Sequence, residues 1–298
     1  MRWMITGAGG MLGTDLTESL RVTPGMWVSA FARSELDLCD ADAVAWALRA
    51  ARPDVVVNCG AWTAVDEAET REEEALAING TAVSVLARVA AELSARLIQL
   101  STDYVFDGSG HEPYPESAPT GPVNAYGRTK LAGERAALEH GHHVVRTAWL
   151  YGAHGRSFAR TMVGLEGSRQ TVSVVDDQFG QPTWTGDLAE RLVLLGRADA
   201  PPGVYHGTSS GRTSWYDYAR EIFTLLGADP GRVEPIPSTA LRRPAPRPAN
   251  SVLAHGNWQA AGLPPMREWS IALHAAWPAL LGPWGARVVG QAVGVGGE

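Results

Sequence analysis

A tyrosine and a lysine stand four residues apart, as Tyr126 and Lys130 of the segment Tyr-Gly-Arg-Thr-Lys. Side chains at this spacing share one face of a helix, so the phenol and the ammonium point the same way. A cation beside a phenol favours the phenolate, which lowers the pKa of the tyrosine and makes it a better proton donor near neutrality. This pair suits the reduction of a carbonyl, whose oxygen needs a proton. The alternative interpretation is a half-buried aromatic ring beside a solvated lysine.

A hydroxyl group could complete the donor set around the same carbonyl oxygen. Residues 97–100 are apolar enough to form a buried strand, which places Thr102 at the carboxyl end of that strand. A hydroxyl at a strand end commonly bonds to the backbone, but with Tyr126 and Lys130 downstream it becomes a candidate for stabilising a developing alkoxide.

A glycine-rich loop follows the first apolar run of the chain. Residues 3–6 precede Gly7, Gly10 and Gly13, after which the apolar spacing becomes helical. Strand, glycine turn and helix form the context of a dinucleotide-binding loop, in which glycines allow close approach to the pyrophosphate and the helix N-terminus supplies amides.

The end of the second predicted strand indicates which dinucleotide binds. Residues 27–31 form this strand, and Arg33 and Ser34 follow where an NAD-selective site usually carries an acid. A guanidinium suits a 2′-phosphate, so we predict NADPH, with NADH as the alternative cofactor and a solvated loop charge as the alternative role of Arg33. Asp37 and Leu38 come next, and we expect them near the adenine.

The fold class is predicted from the buried strands. The run of valines at 55–57 lacks polar alternation, which is typical of a parallel strand buried on both faces. Ala61, Trp62 and Thr63 then leave the carboxyl edge, where ligands bind in open α/β sheets. We predict an α/β fold, a Rossmann-type parallel sheet with flanking helices plus a smaller C-terminal lobe. The predicted units are a dinucleotide-binding domain at 1–150 with a return at about 172–206, a mainly substrate-binding lobe at 151–285, and a flexible tail at 286–298.

Several motifs together resemble one protein family. They are Thr-Gly-x-x-Gly-x-x-Gly, Ser-Thr-Asp-Tyr-Val-Phe, Tyr-Gly-x-Thr-Lys, Arg-Thr-Ala-Trp-Leu-Tyr, Asp-Gln-Phe-Gly-Gln-Pro-Thr and Arg-Pro-Ala-Asn-Ser. Over roughly residues 2 to 280 the chain resembles the extended short-chain dehydrogenase/reductase superfamily and, more narrowly, the dTDP-4-dehydrorhamnose reductase family. The resemblance implies reduction of the C4 ketone of a dTDP-4-keto-6-deoxyhexose by NADPH in deoxysugar biosynthesis.

The resemblance also implies roles for individual residues. Thr102, Tyr126 and Lys130 match the family's catalytic triad, and Tyr126 and Lys130 would also face the cofactor. Thr102, Asp103 and Trp149 match positions that touch the sugar nucleotide. Positions that touch the cofactor match Gly10, Met11, Leu12, Asp37, Leu38, Ala61, Trp62 and Thr63, although several relatives carry a histidine where this chain has Trp62.

One departure within the superfamily favours reduction over dehydration. Sugar-nucleotide 4,6-dehydratases carry Thr-Asp-Glu at this strand end, whereas here Tyr104 follows Thr102 and Asp103. The second acid that serves the elimination is therefore absent. Two alternatives stay open at this point: a non-catalytic regulatory subunit that binds a dinucleotide, and a sugar-nucleotide epimerase that retains its cofactor.

The C-terminal half contributes further candidates for substrate binding. Gln178 and Phe179 are expected between the lobes, where a base could stack on Phe179 or the ring could pack into the interface. Arg247 is expected to pair with a phosphate, since guanidinium groups suit phosphate oxygens. Asn250 either touches the sugar nucleotide or caps a turn.

Neither the acidic residues nor the clustered histidines are predicted to bind a metal. The resemblance implies a homodimer bridged by magnesium through acidic residues; Asp15 and Asp187 sit near those positions but are shorter than the glutamates of that pattern. We therefore predict no metal. The histidines of Glu-His-Gly-His-His, His140, His142 and His143, are interpreted as a solvated turn.

The bulk composition excludes several classes of function. A net charge of −7 and a pI of about 5.6 argue against nucleic-acid binding. The two cysteines form neither a metal-ligand pattern nor a disulfide framework, which fits a reduced setting. The N-terminus leads directly into the first strand, and no apolar run approaches about 20 residues, so we expect no signal peptide, no membrane span and a cytoplasmic location.

Overall fold

The computed structural model describes residues 1–282, so the predicted tail at 286–298 lies outside the described residues. The strands are β1 (Arg2–Thr6), β2 (Trp27–Phe31), β3 (Val55–Asn58), β4 (Arg96–Thr102), β5 (His143–Thr147), β6 (Leu150–Tyr151), β7 (Val172–Val175), β8 (Phe179–Gly180), β9 (Thr183–Trp184), β10 (Gly203–His206), β11 (Thr213–Ser214) and β12 (Val233–Ile236). The helices are α1 (Met11–Arg21), α2 (Ala41–Ala51), α3 (Val65–Ala68), α4 (Glu72–Leu76), α5 (Ala82–Glu92), α6 (Ala125–Glu139), α7 (Phe158–Glu166), α8 (Thr185–Arg197), α9 (Trp215–Leu225), α10 (Gly256–Ala260) and α11 (Trp269–Leu281).

A six-stranded parallel sheet organises the N-terminal part of the chain. Its strand order is β10-β5-β4-β3-β1-β2, and every neighbouring pair is parallel. The carboxyl ends of parallel strands meet at one edge of a sheet, which is where ligands bind in open α/β folds. The predicted Rossmann-type sheet with flanking helices is confirmed.

Helices cover both faces of this sheet. Side chains alternate along each strand, so Trp3 and Ile5 pack with α1 and α8, whereas Met4 packs with α2 and α5. This double coverage explains why the valines of β3 show no polar alternation, since all four residues of β3 are buried.

One helical run of the N-terminal part is long and apolar. Residues Glu72–Glu92 form a continuous helical segment that could cross a membrane by its length and composition, although no apolar run of this kind stood out in the sequence. Half of its apolar window is buried inside the protein, where Val83, Leu86 and Val89 pack against the sheet. It therefore behaves as a core helix of the fold.

The remaining elements build a second, smaller lobe. β7 pairs with β12, β6 with β9, and β11 with β8, each as a separate two-stranded sheet. A second core joins α7, α9 and α11 around Tyr218, Phe223 and Leu273. Within the range 172–206, β7 belongs to these small sheets, whereas α8 packs on α1 and β10 joins the large sheet. The exact domain boundaries stay a prediction.

Helix α6 lies unusually close to its neighbours at two glycines. A Cβ atom added at Gly127 would stand 2.2 Å from the carbonyl oxygen of Tyr104, and one added at Gly133 would stand 2.1 Å from that of Asn79. Real Cβ atoms do not approach an oxygen so closely, so a side chain at Gly127 would push α6 away from the turn after β4, and one at Gly133 would push it away from the turn that holds Asn79.

Replacing Gly127 with alanine should therefore destabilise the fold even though alanine favours helices. We expect the Gly127→Ala variant to lose about 1–3 kcal/mol of unfolding free energy through overpacking, measured by urea denaturation. Gly164 of α7 is the matched control, since a Cβ there would meet nothing within 4 Å. Gly164→Ala should be neutral or stabilising by up to about 1 kcal/mol. Equal losses in the two variants would contradict this account.

Candidate active site

The helix that carries the predicted tyrosine and lysine is fixed at its first turn. Asn124 is the N-cap of α6, and its Oδ1 atom accepts a hydrogen bond of 2.8 Å from the backbone N–H of Gly127. The carboxylate of Glu69 accepts a second bond, of 2.7 Å, from the N–H of Ala125. Two backbone donors that a helix N-terminus leaves free are thus satisfied next to Tyr126.

The structure brings the hydroxyl of Thr102 and the phenol of Tyr126 together. β4 ends at Thr102, as predicted from its position after the apolar run. Burial raises the pKa of Tyr126 to about 12, while the nearby hydroxyl of Thr102 acts in the opposite direction and the charge of Asp103 adds to the rise. The sequence-based expectation of a lowered pKa is therefore wrong for the protein alone, because desolvation of the phenolate outweighs the favourable contacts.

Lys130 is buried one helical turn after Tyr126. Its side chain is almost fully buried, and the ammonium donates a hydrogen bond of 2.6 Å to the carbonyl oxygen of Leu100 on β4. Burial lowers the pKa of Lys130 to about 8, while the charge of Glu134 opposes the shift. The ammonium is thus held against the strand that ends at Thr102 rather than solvated.

A buried ion pair lies behind this lysine and was not predicted from the sequence. Glu134 accepts two hydrogen bonds from the guanidinium of Arg146, at 2.9 and 2.8 Å, and both side chains are at most 4% exposed. The guanidinium also lies 5.0 Å from the ring centroid of Phe106. Glu134 stands four residues after Lys130, so the helical spacing could have drawn attention to it.

Asp103 is a buried carboxyl group at the same strand end. Burial raises its pKa to about 6, while the nearby hydroxyls of Ser251 and Thr102 act in the opposite direction. Its Oδ1 atom accepts a bond of 3.0 Å from Thr102, while its Oδ2 atom is buried without a partner among residues 1–282. An unpaired buried acceptor of this kind is costly and is typical of a functional site.

A large cavity opens beside the glycine loop. It has a volume of about 790 Å³ and is lined by Gly7, Gly9, Gly10, Ala32, Arg33, Ser34, Leu36, Asp37, Leu38, Cys59, Gly60, Ala61 and Ile78. Gly7 has a φ of 68°, and a Cβ there would lie 2.4 Å from the backbone nitrogen of Gly60, so only glycine allows β1 and β3 to meet at this point. Six predicted cofactor residues line this cavity: Gly7, Gly10, Arg33, Asp37, Leu38 and Ala61.

Other predicted cofactor residues do not line it. Leu12 is buried in the core beneath the sheet, and Gly13 packs against the backbone of Gly7 and Ala8, which is the helix-packing role expected of a third glycine. Met11, Trp62 and Thr63 are also outside the lining.

Trp62 is held by a residue that the sequence analysis did not single out. The side-chain amide of Asn79 accepts a bond of 2.9 Å from the backbone N–H of Trp62 and donates one of 3.1 Å to its carbonyl oxygen. It also donates to the hydroxyl of Thr129, next to Lys130. Asn79 lies in a π-helical turn, Ala77–Thr81, between α4 and α5, and such turns are frequent at functional sites.

A second cavity lies against the loop that carries Arg247. Its volume is about 270 Å³, and its lining includes Gln178, Arg243 and Arg247. Arg247 also bonds to Asp66 of α3, with 2.9 Å between Nη1 and Oδ1. Two guanidinium groups in one cavity provide the donors that phosphate oxygens need, although Arg243 was not among the predicted substrate residues.

The other predicted substrate residues have mixed surroundings. The Phe179 ring has the guanidinium of Arg212 at 4.1 Å from its centroid, so that face is covered. Asn250 donates to the carbonyl oxygens of Gly110 and Glu112, which corresponds to the turn-holding alternative. Trp149 has a φ of 45°.

Trp149 also stacks on another tryptophan. The centroids of the Trp149 and Trp215 rings lie 3.5 Å apart, and the angle between the ring planes is 12°. A positive φ at a bulky residue is a strained conformation that persists only where the surroundings enforce it, and the stacked indole and the neighbouring Gly180 provide that restraint.

The histidine turn differs from its prediction. His142 and His143 are buried rather than solvated, because His143 begins β5 and the rings bond to the carbonyl oxygens of Ala87 and Ala200. His140 alone of the three is exposed.

The acids considered as metal ligands do not come together. Asp187 forms a two-bonded ion pair with Arg267, whereas Asp15 lies near Glu18 and His154. Within residues 1–282, one side-chain ligand atom from each of Asp15, Glu18 and His154 lies within 4.8 Å of the others, and this group does not include Asp187.

Comparison with known proteins places this geometry in a family. Residues 1–280 match the model of the RmlD substrate binding domain. The chain belongs to this family. It is 54% identical to a dTDP-4-dehydrorhamnose reductase of Streptomyces griseus, over 97% of each chain. It is 53% identical to a dTDP-4-keto-6-deoxy-D-glucose reductase of Streptomyces niveus, over 94% of this chain and 97% of that protein.

A solved structure of the family has the same fold. The dTDP-4-dehydrorhamnose reductase of Bacillus anthracis, in complex with NADP, superposes with a TM-score of 0.88. The two proteins are 33% identical, and the match covers 93% of this chain and 98% of that one. The predicted family is therefore confirmed.

Removal of one partner from the buried ion pair behind Lys130 should destabilise the fold strongly. We expect Glu134→Gln to lower the free energy of unfolding by about 3 kcal/mol, because Arg146 would keep its buried charge without a carboxylate partner. Glu72→Gln is the matched control, since Glu72 also pairs twice with an arginine, Arg128, but the two side chains are 41% and 46% exposed. That change should cost less than about 1 kcal/mol. Urea denaturation measures both, and similar losses would refute the argument.

Proposed function

We propose that this protein reduces the C4 ketone of a dTDP-4-keto-6-deoxyhexose with NADPH. The observation that carries the proposal is the meeting of Thr102 and Tyr126 at the end of β4, with Lys130 buried beside the same strand. The two Streptomyces relatives are named as reductases of dTDP-linked 4-keto sugars, and the Bacillus anthracis structure contains NADP. Hydroxyl, phenol and ammonium groups are the donors that ketone reduction requires.

The residues around the larger cavity fit a dinucleotide. Its glycines bring the backbone close to a pyrophosphate, and the N-terminus of α1 follows directly. Arg33 and Ser34 line the cavity after β2, where they would hold a 2′-phosphate. When bound, NADPH supplies the hydride for carbon C4, and the protein supplies the proton and the orientation.

Tyr126 is the proton donor in this proposal. Its pKa of about 12 keeps the phenol protonated at neutral pH, so the proton is in place when the carbonyl oxygen gains charge. The phenol O–H gives its proton to that oxygen as hydride adds to C4, which turns the ketone into a secondary alcohol. Thr102 hydrogen-bonds to the same oxygen, and the charged Lys130 stabilises the phenolate left behind.

The nucleotide end of the substrate is assigned to the smaller cavity. Arg243 and Arg247 would pair with the diphosphate, while Gln178 offers an amide to the base. Asp103 and Trp149 would contact the sugar, since Asp103 has a free buried acceptor at the strand end and Trp149 is fixed in a strained conformation. Phe179 and Asn250 are assigned supporting positions around this cavity.

The setting and assembly of the protein are also proposed rather than observed. We propose a cytoplasmic enzyme, since Cys39 and Cys59 are both free thiols and the carbonyl and NADPH chemistry fits that compartment. We propose a homodimer from the family resemblance alone.

Removal of the phenolic hydroxyl should abolish most of the activity. Tyr126→Phe should lower kcat by roughly 10²-fold or more, because general acid catalysis contributes at least that much. The assay follows NADPH absorbance with dTDP-4-keto-6-deoxyglucose, with and without a 3,5-epimerase, and identifies the product sugar by NMR. Tyr216→Phe on α9, where the partly buried Tyr216 accepts a hydrogen bond from Arg220, is the control and should keep wild-type turnover. Near wild-type turnover of the Tyr126→Phe variant would remove the proposed role.

The activity should decline in alkaline solution because of Lys130. Below its pKa of about 8 the ammonium is charged, and above it the charge that stabilises the phenolate is lost. We therefore expect kcat/KM, which reports the free enzyme, to fall as the pH rises through about 8. Lys130→Arg should lower the maximum but abolish this decline, because arginine stays charged. An unchanged alkaline limb in that variant would show that another group titrates.

A further inference from the structure

Three segments that are distant in sequence meet at the first turn of α6. The first is α3, which carries Asp66, with Glu69 directly after it. The second is the start of α6 itself, residues 124–126. The third is the loop 245–247, which lines the smaller cavity. We call this meeting point the helix junction, and its hydrogen bonds connect both functional regions of the protein.

Asp66 is bonded to the loop by two donors. Its Oδ1 atom accepts a hydrogen bond of 2.9 Å from Nη1 of Arg247 and one of 3.2 Å from the backbone N–H of Ala245. Burial alone would raise the pKa of Asp66, but these two bonds outweigh it and hold the pKa below its ordinary value. Asp66 is therefore a carboxylate at neutral pH, fully able to orient the guanidinium.

The same loop is bonded to the N-cap of α6. Nδ2 of Asn124 donates a hydrogen bond of 2.9 Å to the carbonyl oxygen of Pro246, while Oδ1 of Asn124 accepts a hydrogen bond from the N–H of Gly127. Asn124 is fully buried, so this side chain has one position available. On the other side Glu69, three residues after Asp66, accepts from the N–H of Ala125, the residue before Tyr126. The three segments thus form a closed ring of hydrogen bonds.

Arg247 has N–H groups that make no hydrogen bond within residues 1–282. Both hydrogen bonds that it makes within residues 1–282 come from Nη1, to Asp66 and to the carbonyl oxygen of Ala245. Its remaining N–H groups belong to a side chain that lines the cavity and is 10% exposed. A guanidinium group is planar and rigid. A carboxylate that fixes one of its nitrogens therefore also fixes the directions in which its other N–H groups point.

We propose that Asp66 is a positioning residue that couples the diphosphate end of the substrate to the proton donor. It aims Arg247 at the phosphates and, through the loop and Asn124, holds the first turn of α6 and hence Tyr126. Binding energy from the nucleotide, remote from the reacting carbon, is thereby used to place the phenol. This inference rests on the function proposed above.

The test compares Asp66→Asn with a matched neighbour. Asn has the size of Asp and keeps one acceptor but lacks the charge. Glu67→Gln is the control, since Glu67 is on the same helix, carries the same charge and is 64% exposed beside Arg71. Circular dichroism and thermal unfolding confirm that both variants are folded. The first readout is dTDP affinity by calorimetry, and the second is the separate effect on kcat and KM.

Asp66→Asn should weaken dTDP binding about tenfold, since the hydrogen bond to Arg247 loses the negative charge that strengthens it and orients the guanidinium. The same change made in an Arg247→Ala background should cause no further loss, because two residues that act through one contact are not additive. With saturating sugar nucleotide, Asp66→Asn should also lower kcat about tenfold, an effect on the proton donor that a purely local role would not produce. Glu67→Gln should change neither quantity.

The outcomes separate this inference from the proposed reaction. Additive losses of dTDP affinity in the double variant, or unchanged affinity and kcat with only a lower melting temperature, would overturn the coupling. A wild-type protein that binds no dTDP would overturn it as well. A wild-type protein that binds dTDP but oxidises no NADPH with the keto sugar would refute only the reaction, and the binding comparison would still decide the role of Asp66.

Discussion

The close approach of α6 to its neighbours is the constraint on which the site depends. Gly127 and Gly133 leave room for the carbonyl oxygens of Tyr104 and Asn79, so the helix lies nearer to the turn after β4 and to the π-helical turn before α5 than side chains would permit. At this distance a buried lysine reaches the backbone of Leu100 and a phenol reaches the hydroxyl of Thr102. The chemistry of the site is therefore a result of backbone packing as much as of the reacting side chains.

Electrostatics reinforce this arrangement. Desolvation acts on the phenol and the ammonium in opposite senses, raising the pKa of Tyr126 to about 12 and lowering that of Lys130 to about 8. Both shifts favour the neutral forms, but the charge of Glu134 opposes the shift of Lys130, and a pKa of about 8 leaves the lysine mostly charged at neutral pH. A proton donor and a cation can thus coexist in a dry environment where either alone would be costly.

Local motifs predicted the fold and the candidate residues Thr102, Tyr126 and Lys130, whereas contacts between distant segments could not be predicted. The glycine loop and the Tyr-Gly-x-Thr-Lys motif are short-range patterns, and the parallel sheet follows from buried β-branched runs. Asn79 and Asp66 act on residues that are 17 and 181 positions away, so no spacing reveals them. The side chain of Leu12 packs in the core, because a motif position does not specify whether a side chain faces the ligand or the core, and its contact with the cofactor stays a prediction.

The buried histidines have a consequence for the whole molecule. Burial lowers the pKa of His143 to about 4 and that of His206 to about 3, from an ordinary value of 6.5. In the unfolded chain these rings accept protons at mildly acidic pH, but in the native protein they do not. Proton uptake therefore accompanies unfolding. The free energy of unfolding decreases as the solution is acidified from pH 6.5 towards 4. Two rings on neighbouring strands thus make the native state acid-labile, independently of any catalytic role.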